Sequence, residues 1–128
     1  MNDERKYTLP VTKEDTIRYH NDELIVRMTA EQVIKDFGQF GMDILLPSNL
    51  HMAYNELFDQ LAPNIHRLMD EDQTRFYSLL YRIDVNESAI HKGSLEMTNL
   101  PVYDVVTHLI LERELKKVLT RMYFSRNT

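Results

Sequence analysis

The longest uninterrupted helical pattern in the chain, Leu100 to Phe124, carries apolar residues on two opposite faces, and this constrains the fold more than any other feature. At about 100° per residue, Val102, Val105, Val106, Leu109 and Ile110 share one face, with Asp104, Thr107 and His108 opposite. From Leu111 onward the pattern reverses. Leu111, Leu115, Val118, Leu119 and Met122 cluster about 180° away, while Arg113, Lys116, Lys117 and Thr120 occupy directions that were apolar before. One straight helix resting on one core cannot hide both faces, so either it bends between Leu111 and Glu114 or its halves bury against different things. Burying Leu115, Val118, Leu119 and Met122 is worth at most about 1.5 to 3 kcal/mol apiece, which opposes leaving them in water. Leu111, Leu115, Val118, Leu119, Met122 and Tyr123 are therefore expected to form an interaction face. A second subunit, a partner protein or the N-terminal segment would cover it.

At 128 residues the chain is long enough for one respectable core. Residues 1–15 are polar and interrupted by Pro10, which predicts a flexible tail, extended around Tyr7 to Val11 where something pairs with it; residues 16–128 form a single helical domain. The expected fold is mainly α. An irregular or short-hairpin N-terminal segment precedes a bundle of four to five helices ending in the long C-terminal one.

Ile17 to His20 and Glu23 to Met28 read as two short strands turning at Asn21 and Asp22, or alternatively as a helix starting at Asn21 and running through Arg27. Thr29 and Gln32 match a capping box and predict a helix from about Ala30 to Phe40, with Gly38 and Gly41 at its end. Met42 to Leu46 is a short apolar run closed by Pro47. A second long pattern, opened by Ser48 or Asn49, puts Leu57, Leu61, Ile65 and Leu68 on one face, with Pro63 predicting a kink or a restart. Helices are further expected at about Gln73 to Ile83, and from Val85 to Lys92 with Asn86 as cap and Gly93 as stop. Pro101 should fill the first position of the last helix.

The formal net charge of −5 argues against broad affinity for nucleic acid. From Arg113 to Thr128, however, five bases face one acid, an excess of about four positive charges that leaves the remainder near −9. This basic end is the feature that an anionic or nucleic-acid partner would use. The absence of cysteine excludes disulfides, thiolate catalysis and Cys-ligated zinc. With no apolar run of membrane-spanning length and an acidic N-terminus unlike a signal peptide, a cytoplasmic protein without membrane contact is expected.

Three His and carboxylate pairs lie four residues apart: His66 with Asp70, Glu87 with His91, and His108 with Glu112. A helical metal centre needs such pairs to converge from several helices, so His66, Asp70, His91, His108 and Glu112 are the candidate ligands of a metal- or small-ligand-binding alternative. The serines lack the glycines of a nucleophile elbow and three glycines in all leave no phosphate loop. No cofactor and no catalytic residue are expected. Seven tyrosines exceed the needs of the core, and Tyr54, Tyr77 and Tyr81 read as an aromatic rim suited to protein contact.

The phrases Leu79 to Glu87 (LLYRIDVNE) and Leu109 to Phe124 (LILERELKKVLTRMYF) resemble a family of small, uncharacterised helical bacterial proteins. That resemblance implies a helical fold and a bacterial cytoplasmic setting, and no activity. The reading carried forward is a non-enzymatic helical domain that self-associates, as a homodimer, or docks a protein through the C-terminal helix and its tyrosine-bearing neighbour.

Overall fold

A computed structural model describes residues 11–20 and 22–126. The elements are α1 (Lys13–Arg18), α2 (Glu23–Gly38), a 3-10 turn (Leu50–Met52), α3 (Ala53–Glu71), α4 (Gln73–Ile83), α5 (Glu87–Glu96) and α6 (Val102–Arg126). No strand occurs among the described residues. The fold is mainly α, as its apolar periodicity predicts.

The N-terminal region differs from expectation in a consistent way: residues that read as hairpin or tail are helical. Most of the anticipated tail, residues 1–10, lies outside the described residues, but Lys13–Asp15 open α1. Thr12 and Asp15 form a reciprocal capping box there, Asp15 N–H donating to Thr12 Oγ1 at 3.2 Å and Thr12 N–H to Asp15 Oδ2 at 2.8 Å. The hairpin does not form. Asp22 accepts from the Ile25 N–H at 3.2 Å and caps α2, whose Ile25, Val26, Thr29, Ala30, Val33 and Phe37 form one buried face at helical spacing. The β-branched run around Ile25 therefore yields to a longer periodicity that continues past it. Thr29 caps nothing, and its hydroxyl donates to the Ile25 carbonyl inside the helix at 2.7 Å.

Met42 and Ile44 anchor an irregular connection in the core while Leu45 and Leu46 face out. The Gln60 side chain pins that connection, accepting from Leu45 N–H at 2.8 Å and donating to Leu45 C=O at 3.0 Å. Helix α3 runs without restart through Pro63. Asp59, four residues back, and Pro63 are both exposed, so water can serve the carbonyl that loses its donor. α4 occupies the expected span, capped by Asp72 and ended by Asp84 at φ 71°. α5 has Asn86 as its cap but passes through Gly93. A Cβ on Gly93 would stand 3.1 Å from Val105 Cγ1 and 3.2 Å from Leu109 Cδ1, so this glycine permits close α5–α6 contact and is not a stop.

α6 is a single helix with no break between Leu111 and Glu114. All five other α-helices touch it. Its two faces are buried against different things, which is the second of the two alternatives posed by the reversed stripe. Val106, Ile110 and Leu111 join the main core with Val33, Phe37, Leu61, Ile65, Leu79 and Ile83. Leu115, Val118 and Leu119 join a smaller cluster with Tyr19 and Ile25, edged by Val11, Met28, Met122 and Tyr123.

Candidate functional site

The six residues expected to form an interaction face do not present one. Leu111, Leu115, Val118 and Leu119 are buried within the chain, and Met122 and Tyr123 are partly covered. Leu111 belongs to the main core, and the others are covered by Val11, Tyr19, Ile25 and Met28, so their burial requires no second subunit. Beyond them the end of α6 opens onto a groove of about 390 Å³ lined by Met28, Glu31, Gln32, Lys35, Arg121 and Met122. Phe124, 53% exposed, follows.

The three tyrosines of the expected rim separate. Tyr54 turns inward: its hydroxyl and Nδ1 of His108 make a 2.9 Å hydrogen bond whose donor depends on the imidazole tautomer, and the His20 ring lies 4.6 Å from its own. Burial, with the Glu112 charge adding to it, pushes the Tyr54 hydroxyl up to about 12. Tyr77 and Tyr81 face outward, 51% and 90% exposed. With Leu80, Asp84, Val85, Asn86 and Glu87 they line an open groove of about 560 Å³ between α4 and α5.

The candidate metal ligands do not converge. His66 stacks on Tyr103 with ring centroids 4.0 Å apart and contacts Asp70 at 3.0 Å on the surface. His108 is half-buried against Tyr54 and Phe58, and burial lowers its pKa while the Asp104 charge opposes this. Glu112 pairs with Lys116 at 3.2 Å, and His91 is exposed on α5. No group of three or more His, Cys, Asp or Glu placed to hold a metal occurs among the described residues. The spacing of four sets residues on one helix face but leaves open which helices meet, and here the three pairs sit on three different helices without meeting.

Three bases in the second half of α6 are paired within the chain. Arg113 pairs with Asp84 at 3.0 Å, Lys116 with Glu112, and Lys117 with Asp36 and Glu114 at 3.6 and 3.3 Å. This removes much of the cationic surface on which an anionic partner would depend. No helix among the described residues is long and apolar enough to cross a membrane.

One ionisable cluster was not legible at all in the sequence. Asp36 on α2 and Glu114 on α6 are 1% and 0% exposed. Arg82 Nε donates to Asp36 Oδ1 at 3.1 Å and Gln32 Nε2 to Oδ2 at 3.1 Å. Burial would raise the Asp36 pKa, but hydrogen bonds from Glu114 and Gln32 and the charges of Lys117 and Arg82 outweigh it and leave it below the ordinary aspartate value. Glu114 goes the other way. Burial, then the hydrogen bond to and charge of Asp36, push it up to about 8 against the opposing pull of Lys117. Its two oxygens accept no hydrogen bond from any donor. A buried charged residue at a helical position looks in sequence like any solvent-facing one, and no spacing rule would have found this pair.

No protein family, curated protein or solved structure matches the chain.

Proposed function

We propose that this is a non-enzymatic helical domain that self-associates, the end of α6 of one copy meeting the tyrosine face of α4 in another. Support comes from one observation: two open grooves of the same chain are complementary in chemistry. The α4–α5 groove offers Tyr77 and Tyr81 with Glu87 as its acid unpaired among the described residues, Asp84 being held by Arg113. The α2–α6 groove offers two methionines with Lys35 and Arg121 against the single acid Glu31, beside exposed Phe124. Tyrosine supplies contact area and attracts cations over its ring, and opposite charges fix the register of such contacts. A twofold pair of copies would make this contact twice.

Sedimentation velocity and light scattering test this directly. A dimer is expected in the micromolar range, with Tyr81→Lys and Arg121→Glu each shifting it to monomer, and Glu87→Arg combined with Arg121→Glu restoring it. A wild-type chain that stays monomeric throughout that range, or a dimer indifferent to all these changes, overturns the proposal.

A further inference from the structure

Asp36 and Glu114 are brought together from α2 and α6 in a site that excludes water, with Arg82 of α4 on one side and Lys117 of α6 shared between them. The hydrogen-bond inventory assigns their states. Both oxygens of Asp36 are served, one by Arg82 and the other by Gln32, as a carboxylate requires. Neither oxygen of Glu114 meets hydrogen-bond geometry with a donor among the described residues, and its cationic neighbour, Lys117 Nζ at 3.3 Å from Oε1, is shared with Asp36 Oδ2 at 3.6 Å. Two buried carboxylates that must share one ammonium are costly to keep ionised together. A carboxylic acid in the same place has an O–H of its own to give, and the ionised Asp36 is there to accept it. We propose that Asp36 and Glu114 hold one proton between them as a latch, closing α2 and α4 onto α6 at neutral pH and loosening that junction when the proton leaves.

The groups that face the pair are Gln32 from α2, Arg82 from α4 and Lys117 from α6. Arg82 and Lys117 are cations and favour ionisation, so it is burial first, then the hydrogen bond to Asp36 and its charge, that hold the proton on Glu114. The sign of the pH effect follows. Glu114 is raised on folding, so between its ordinary 4.5 and about 8 the folded chain keeps a proton that the unfolded chain releases, and stability falls as pH rises through that window. Asp36 is lowered, so its own contribution is lost only at acid pH, below 3.8. The latch does not require self-association, since all of its groups belong to one chain.

Denaturant unfolding of the full chain from pH 5 to pH 8 is the test, alongside Glu114→Gln, whose amide keeps a donor for Asp36 and cannot ionise. Between pH 6.5 and 8 the wild-type unfolding constant should rise by a factor approaching tenfold per pH unit and the variant's should not. Below pH 6.5 the lowered His108 opposes the rise equally in both, so the difference between the two proteins is the readout. Infrared spectroscopy of the folded wild type should show a protonated carboxyl at pH 7 that Glu114→Gln lacks. Above pH 8, amides of residues 32–38 should exchange faster relative to those of residues 57–65 in the same sample. Equal pH slopes for the two proteins, or no protonated carboxyl at pH 7, overturn the proposal. Should the variant not fold, the infrared band and the exchange ratio of the wild type decide alone.

Discussion

The two halves of α6 each carry a buried apolar face and differ in what covers it. The first half, around Val106 and Ile110, is enclosed by residues drawn from Ala30 through Val85, most of the length of the bundle. The second half, around Val118 and Leu119, depends on Tyr19 and Ile25 and on partly buried neighbours from Val11 to Met28. Helix α2 serves both, its Ile25 in the smaller cluster and its Ala30, Val33 and Phe37 in the larger. A reversed apolar stripe on one helix thus marks a change of cover along a central helix, with no bend required.

Cavity-forming substitutions should separate the halves most strongly. Ile110→Ala is expected to cost about 2–5 kcal/mol, and Leu119→Ala an amount nearer the bottom of that range, because its part-buried neighbours can close on the space. Urea denaturation at one pH measures both, and equal losses would break the distinction. A smaller effect, about 1–3 kcal/mol, is expected for Gly93→Val, which pushes α5 off the first half of α6 at Val105 and Leu109. A neutral result there would mean that α5 can shift without cost. Smallest are the caps: Asp22→Ala and Asn86→Ala should each lose about 1 kcal/mol. Their hydrogen-exchange patterns should differ, the first loosening residues 23–28 over the small cluster and the second confined to α5.

Legibility followed the range of the interactions. α4 was readable because its cap, Asp72, and its face, Phe76, Leu79, Leu80 and Ile83, are all local. The need to cover Leu115 to Met122 was equally plain, but the identity of the cover was not, since Tyr19 and Ile25 lie about ninety residues away in the chain. The hairpin reading of Ile17 to Met28 failed because it weighed a short run of Ile and Val over the helical spacing that carries on to Phe37. Gly93 looked like punctuation because its use, the approach of another helix, is tertiary. Of the candidate sites, outward Tyr77 and Tyr81 could be anticipated on the flank of α4, but inward Tyr54 and the Asp36–Glu114 pair could not, since burial at those positions is decided by which helices meet.

The Gln60 side chain has a consequence for how long the chain survives among proteases. An exposed, irregular stretch such as Leu45–Leu46 is the kind of segment these enzymes cleave, and they bind it by pairing with its backbone as a neighbouring strand would. At Leu45 both the N–H and the C=O are already taken by one amide. Gln60 occupies the place of that strand, and only a side chain with a donor and an acceptor side by side can do so. Gln60→Glu, which lacks the donor, would leave the fold's core untouched and open this loop to nicking.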